Sequence, residues 1–228
     1  MVPPDVDRLG RRLREEREKR GVSVRGLARD VGVSASMVSQ IETGKSQPSV
    51  STLYAITTAL GVTVEELFTA SLETTSARSA ERAGPASERA DPAAEPAVPP
   101  AVDRSAAPPS LRGRRLGPLV RPGQRRVLQL DSGVTWELLG DLPERSVDFL
   151  LVTYLPGGTS SSRGGLMRHP GSEYGHLLAG SLVLTLGFEE LIVRAGDSIN
   201  FDSTTPHSYR NDGTVPAVGV WFVIERGR

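Results

Sequence analysis

The residues most capable of chemistry lie in the last third of the chain. All three histidines of the 228 residues are there, at His169, His176 and His207, and Glu173 stands between the first two. Imidazole and carboxylate groups are common carriers of protons and common ligands of divalent metal ions. His169 and His176 share one glycine-containing motif, whereas His207 follows Pro206 in a second one. A fold that joins the two motifs can therefore build one site.

Short apolar or alternating runs surround these motifs and predict strands. Residues 147–155 and 217–224 are apolar on both faces, as expected of strands inside a sandwich. His176 lies an odd number of residues after Glu173, so strand alternation turns it to the opposite face. We therefore expect a structural role for this histidine. From about residue 119 onward, the composition is that of an all-β domain.

The two motifs resemble those of the cupin family, a small β-barrel of the jelly-roll type. The resemblance is best between residues 169 and 211. In cupins, two histidines and a glutamate of the first motif and one histidine of the second hold a divalent metal ion. Three of these positions are matched here, by His169, Glu173 and His207. Met167 stands where the family has its remaining histidine.

The methionine leaves two alternatives for the site. The three matching side chains offer two imidazoles and a carboxylate, a set that suits Fe(II), Zn or Mn. Alternatively, the barrel holds no metal, and the histidines hydrogen-bond a ligand or neighbouring strands. In both cases a barrel of this size can enclose one small ligand. The candidate lining residues are Met167, His169, Glu173, His207, Tyr209 and Trp221.

Residues 1–70 show helical periodicity, and two short helices joined by a glycine turn are their most informative part. The buried face of the first of these recurs at i, i+3, i+4 and i+7, in Val24, Leu27, Ala28 and Val31. Gly32 is expected in the left-handed turn, and Ser23, Ser34 and Ser49 are expected as helix caps. The second helix buries Val38 and Ile41 and leaves a small, polar outer face. A helix of this kind can enter the major groove of DNA.

These features resemble the lambda-repressor-like helix-turn-helix family, of the xenobiotic-response-element type. The resemblance spans residues 9–68 and is carried by residues 27–28, 32–34, 38–45 and 60–62, with Pro48 and Leu53. It implies five helices, the last of them near residues 63–68, and binding to double-stranded DNA. The alternative is a helical bundle with a merely solvated polar face.

The resemblance also assigns roles to particular side chains. Ala35, Ser36 and Ser39 approach base edges, and Gln40 lies near an edge or the backbone. Because small hydroxyl side chains read bases weakly, DNA shape is expected to carry much of the specificity. The expected phosphate contacts are Arg17, Ser23, Arg25 and Lys45.

Composition sets the limits of the remaining interpretation. Basic and acidic side chains balance at 27 each, so DNA contacts depend on local placement of charge and not on a bulk positive field. There is no cysteine, and no apolar run reaches the length of a membrane span; both fit a cytoplasmic protein. Residues 71–118 contain 11 alanines and 8 prolines among 48 residues, which predicts a disordered linker.

The predicted fold is therefore an α + β two-domain protein. It consists of an all-α five-helix domain at 1–70, the linker at 71–118 and an all-β cupin barrel at 119–228. This order resembles the group of helix-turn-helix regulators that carry a cupin domain. It implies a homodimeric transcriptional regulator, not an enzyme, that binds an operator and senses a small-molecule effector. The alternative is a metal-dependent cupin dioxygenase or isomerase with a DNA-binding domain.

The linker raises a separate expectation. A flexible tether of this length transmits orientation poorly. The sequence therefore favours an effector that acts on dimerisation and so changes the effective concentration of the two DNA-binding domains.

Overall fold

The structure is a computed structural model that describes residues 6–64, 67, 119–140, 147–162 and 164–224. The predicted linker lies outside these residues. The described residues before position 70 and after position 115 belong to one compact unit. In this part of the chain, no helix has both the length and the hydropathy to cross a membrane. We call the N-terminal described residues, up to 67, the helical head, and those from 119 the barrel.

Four helices form the described head, and their ends follow local sequence signals. They are α1 (Val6–Lys19), α2 (Val24–Val31), α3 (Ala35–Glu42) and α4 (Val50–Leu60). The predicted caps are confirmed: the hydroxyls of Ser23, Ser34 and Ser49 accept backbone N–H bonds at the starts of α2, α3 and α4. Gly32 ends α2 with φ of 74°, a conformation that costs little without a side chain.

The head is held together by the apolar faces that the periodicity predicted. Leu27, Val38, Ile41 and Leu53 are almost fully buried, and Leu13 of α1 joins them. Val24 and Val31, expected in the same stripe, are only partly buried and pack at its margin. Of the predicted fifth helix, the structure describes Val64 and Leu67, both helical and buried; the rest lies outside the described residues.

The barrel consists of antiparallel strands in two sheets. Six strands form one sheet in the order β1-β2-β3-β9-β4-β7, and three form the other in the order β6-β5-β8. The strands are β1 (Arg126–Leu130), β2 (Val134–Gly140), β3 (Val147–Tyr154), β4 (Ser172–Ala179), β5 (Ser181–Leu186), β6 (Glu189–Arg194), β7 (Ser198–Asp202), β8 (His207–Arg210) and β9 (Ala217–Ile224). Some neighbouring strands of this sheet, such as β3 and β9, are far apart in the chain. The connections between such strands are the crossovers that close a jelly roll.

The two central strands β3 and β9 are apolar on both faces, but their inward side chains are more deeply buried than their outward ones. Inward side chains alternate with outward ones, and Leu150, Val152 and Trp221 are buried in the interior. On the outer face, Phe149 is half-buried and Phe222 is 40% exposed. The prediction that these strands are buried on both faces is therefore not met at the outward positions, which are half-buried on β3 and exposed at Phe222 and Ile224 of β9.

Candidate functional site

The three candidate ligands come from separate segments that backbone hydrogen bonds draw together. Met167 and His207 exchange two N–H to carbonyl bonds, of 2.8 and 3.0 Å, so the first motif runs beside β8. His169 N–H donates to the Ser203 carbonyl at 3.1 Å. Glu173 follows on β4 with its side chain turned inward. The barrel thus brings His169, Glu173 and His207 to one point of its interior.

At that point the carboxylate of Glu173 is the centre of a buried cluster. Its Oε1 atom lies 2.8 Å from Nε2 of His169 and 2.9 Å from Nε2 of His207. Its Oε2 atom accepts a bond of 2.8 Å from the hydroxyl of Tyr209. All four side chains are at most 4% exposed. The metal-binding atoms of the histidines and the glutamate lie within 4.8 Å of one another, which is compact enough for a single ion.

Burial alone would raise the pKa of Glu173. The contacts that His169 and His207 make with the carboxylate outweigh that effect, and the pKa of Glu173 falls to about 2. For Tyr209, burial and the nearby negative charge raise the pKa well above its usual range. The glutamate is therefore an anion and the phenol a neutral donor at any physiological pH.

One contact within the cluster needs a positive charge to be favourable. His207 Nδ1 lies 2.8 Å from the Thr205 carbonyl oxygen, so this nitrogen must carry a proton and donate it. In neutral imidazole the Nε2 atom then presents a lone pair to Glu173 Oε1 at 2.9 Å. Nε2 of His207 is indeed a buried atom without a hydrogen-bond partner among the described residues. A proton or a metal cation between the two acceptors removes the conflict, so the donor set fits a divalent ion.

A small cavity adjoins this cluster, and four predicted lining residues border it: Met167, Glu173, Tyr209 and Trp221. Met167 contributes an apolar wall, as expected of a thioether at this position. The other two predicted lining residues, His169 and His207, are not among the residues that border the cavity; they contact Glu173, which is. His176, by contrast, is exposed and bonds Ser198 Oγ at 2.9 Å, which confirms that it faces away.

The head also contributes to this cavity, which the sequence did not predict. Val50 and Tyr54 of α4 line it together with barrel residues that include Trp136 and Tyr154. A signal for Tyr54 was available, since it is the only aromatic residue among the first 67. A large aromatic ring in a head whose core is otherwise aliphatic indicates that the ring packs against residues outside that core.

The outer face of α3 forms a second candidate site. Ser36, Ser39 and Gln40 are exposed, and Ala35 is half-buried against the core. The more distant candidates Ser23, Arg25 and Lys45 are exposed as well. The Ser23 hydroxyl is occupied as the cap of α2, while its backbone N–H remains at the helix N-terminus, where phosphates bind well. The head therefore offers a continuous set of small, polar and basic groups to a partner.

Arg17 does not belong to that set. It is 7% exposed, and its guanidinium makes two bonds to Glu42, of 2.6 and 2.9 Å, and a third to the Val22 carbonyl at 2.8 Å. The expectation of a phosphate contact is wrong for this residue, because its donors are already used to tie α1 to the end of α3.

Comparison with protein families agrees with both halves of this architecture. Residues 8–68 match the model of a helix-turn-helix domain, and residues 150–223 match that of a cupin domain. The chain therefore contains a helix-turn-helix domain and a cupin domain. The barrel described above is thus the cupin domain, and α2, Gly32 and α3 form the helix-turn-helix.

Similar proteins combine the same parts. This helix-turn-helix protein is 28% identical over 204 residues to the HTH-type transcriptional regulator PuuR of Escherichia coli, covering 89% of the chain and 86% of PuuR. The head alone is 35% identical over 60 residues to the HTH-type transcriptional regulator DdrOP3 of Deinococcus deserti, covering 26% and 46% of the two chains. The crystal structure of an HTH_3 family transcriptional regulator from Vibrio cholerae covers 98% of this chain and 99% of its own, with a TM-score of 0.58 and 18% identity. That likeness shows a common fold.

Proposed function

We propose that this protein is a DNA-binding transcriptional regulator of the cytoplasm whose cupin domain senses a small ligand. The observation that carries the proposal is the outer face of α3, where Ser36, Ser39 and Gln40 are exposed while Val38 and Ile41 on the opposite side are buried in the core of the head. The likeness to PuuR over most of both chains supports the same function. Genome-wide footprinting of the bound sites tests the proposal and identifies the target genes.

The geometry of α3 supports two kinds of contact with DNA, one to base edges and one to phosphates. Ala35, Ser36 and Ser39 lie on the side that would meet base edges, with Gln40 beside them. Arg25 and Lys45, with the helix start at Ser23, flank this side and would hold phosphates. The phosphate contacts position the protein on the DNA, whereas the contacts with base edges distinguish one DNA sequence from another.

Substitutions of Lys45 and Ser39 are expected to separate these two kinds of contact. Lys45→Ala should weaken binding about equally on all sequences and reduce the slope of log affinity against log salt by about 1. Ser39→Ala should instead change the preferred base at one position of the site. Binding to a randomised DNA library at several salt concentrations measures both effects.

The control for the lost charge is Arg194→Ala, an exposed position on β6 of the barrel. It should leave both readouts as in the wild type. If Lys45→Ala and Ser39→Ala behave like this control, α3 does not face DNA.

The cupin site supports the sensing part of the proposal. Its described lining holds one buried carboxylate that is an anion at neutral pH, and several aromatic side chains. An occupant with positive charge is therefore favoured, and Fe(II), Zn(II) or Mn(II) are the ions that suit the histidines and glutamate. Sensing requires that the ligand binds the DNA-competent and DNA-incompetent states with different affinity.

The outer face of the six-stranded sheet supports a homodimer. Phe149 and Phe222 stack there with ring centroids 4.4 Å apart, and Tyr174 on β4 lies opposite Phe222 in the register. Leu178 and Ile224 extend the same face. An apolar face of this kind is unusual on a monomer, and a second copy related by a two-fold axis would cover it with itself. Two heads held this way match the two half-sites of a palindromic operator.

Phe222→Asp is expected to convert the proposed dimer to a monomer, because the charge would be buried in an apolar interface. Light scattering measures the mass of the particle. Operator binding should weaken, because a monomer no longer holds a second head at high effective concentration near the other half-site. Phe188→Asp is the matched control, since Phe188 is fully exposed beyond the end of β5. A wild type that is already monomeric at micromolar concentration contradicts this part of the proposal.

A metal-dependent dioxygenase or isomerase with a DNA-binding head is the second candidate, and the buried two-histidine, one-glutamate set favours it. The two functions differ in what the ion does to DNA binding. Protein that carries one iron or manganese per chain, and whose operator affinity is unchanged when the ion is removed, would favour the enzyme.

A further inference from the structure

The head and the barrel touch directly through α4. The N–H of Ser51, in the first turn of α4, donates to the Ser160 carbonyl at 2.9 Å, and the N–H of Asp131 donates to the Pro48 carbonyl at 2.9 Å. Main-chain bonds of this kind fix the start of α4 on the rim of the barrel. The expectation that only a flexible tether joins the two domains is therefore incomplete, because a second, non-covalent route exists.

Tyr54 extends this contact into the ligand site. It lies one turn further along α4 and is 3% exposed. Its ring stacks on the imidazole of His169, with centroids 4.0 Å apart and planes 6° from parallel. The ring also packs against Trp136, at 5.6 Å. A side chain of the head thus lies face to face with a candidate metal ligand of the barrel.

We propose that the ligand site is shared between the two domains, and that Tyr54 couples its occupation to the position of the head. The inference rests on the proposed function, which supplies the DNA-binding and ligand-binding states that Tyr54 links. In this proposal, Tyr54 lines the ligand site and passes the effect of its occupation to the head, a role that neither family resemblance assigns to it. The stack on His169 and the wall that Tyr54 gives to the cavity are the observations that carry it.

The distances within the cluster indicate how the occupation of the site can reach Tyr54. Donor atoms bound to one divalent ion at about 2.1 Å stand roughly 3.0 to 3.4 Å apart, whereas Glu173 Oε1 lies 2.8 and 2.9 Å from the two histidine nitrogens. A bound ion would therefore require the carboxylate and the two imidazoles to change their spacing slightly. Because interiors are close-packed, any part of this movement taken by the His169 ring would also change its stack on Tyr54.

The head has little freedom to absorb such a movement locally. Tyr54 lies between Leu53 and Ile56, which are at most 1% exposed and belong to the core that also holds Val38 of α3. A shift of Tyr54 is thus passed to α4 as a whole and from there to the DNA-reading helix. The size of the coupling is limited by the ligand's differential affinity, typically about 5-fold to 150-fold.

The test measures operator affinity of the full chain with and without Zn(II), in wild type and in Tyr54 variants. Wild type is expected to change its affinity at least about 5-fold on addition of the ion. Tyr54→Ala should bind DNA and Zn(II) but reduce that change to within about 2-fold. Tyr54→Phe keeps the ring and should retain the coupling. Tyr54→Leu, which fills more of the space, replaces the alanine variant if the latter does not fold.

The outcomes separate this inference from the proposed function. A wild type that binds no DNA refutes the regulator itself. Coupling that persists in full in Tyr54→Ala and Tyr54→Leu overturns the role of Tyr54 and leaves the regulator intact. A wild type that binds both DNA and Zn(II) without any coupling overturns the inference as well. Loss of coupling in both variants, with retention in Tyr54→Phe, supports it.

Discussion

Replacing Glu42 with alanine is expected to destabilise the head by about 3–5 kcal/mol, because it leaves the Arg17 guanidinium buried without its counter-charge. The two side chains are 9% and 6% exposed and are joined by two hydrogen bonds. The charge of Arg17 cannot be neutralised instead, because a guanidinium group stays protonated in proteins even without a nearby carboxylate. Urea unfolding followed by circular dichroism measures the loss as a lower midpoint for the helical signal.

The control for this variant is Glu18→Ala. Glu18 also lies near Arg17, at 3.6 Å, but it is 52% exposed, so its removal should change stability by about 0.5 kcal/mol or less. The double variant Arg17→Met with Glu42→Leu removes both charges and should recover most of the stability. If Glu42→Ala unfolds at the same urea concentration as Glu18→Ala, the ion pair is not a determinant of the fold.

Glu173→Gln is expected to weaken Zn(II) binding at least about 100-fold, since the variant keeps the shape of the side chain but removes the only charged ligand of the set. Titration calorimetry with Zn(II) on the full chain measures the change. Operator binding without the ion should persist, because the face proposed to read DNA lies on the head and not at Glu173.

His176→Gln is the control for binding to surface imidazoles. This histidine is exposed on the same strand, β4, with its side chain bonded to Ser198. It should leave the affinity for Zn(II) as in the wild type. Equal affinities in Glu173→Gln and wild type would show that the ion binds elsewhere, or that the cupin site takes no metal.

The features that could be predicted from the sequence are those whose causes are local. Ser34 caps α3 through an N–H three residues away, and Gly32 is left-handed because the turn there allows few other residues. The alternation of a strand is equally local, and it placed His176 on the outside correctly. The grouping of His169 with His207 came from the family resemblance, and the backbone bridge at Met167 explains it physically.

The errors concern contacts between residues far apart in the chain. Arg17 has the exposure pattern of a surface arginine in α1 until Glu42, 25 residues later, is folded against it. Tyr54 contacts His169 only when the helical head and the barrel pack against each other. Neither partner can be read from periodicity, which reports the burial of a position and not what it touches.

The direct seat of α4 on the barrel separates two tasks that a connecting segment usually combines. The main-chain bonds at Pro48 and Ser51 hold the head on the barrel by themselves, so the alignment of the two domains does not require a rigid connection along the chain. A connecting segment without that duty can accumulate insertions, deletions and compositional drift at little cost. Selection on alignment would then act on the contact between α4 and the barrel and not on the composition of residues 71–118.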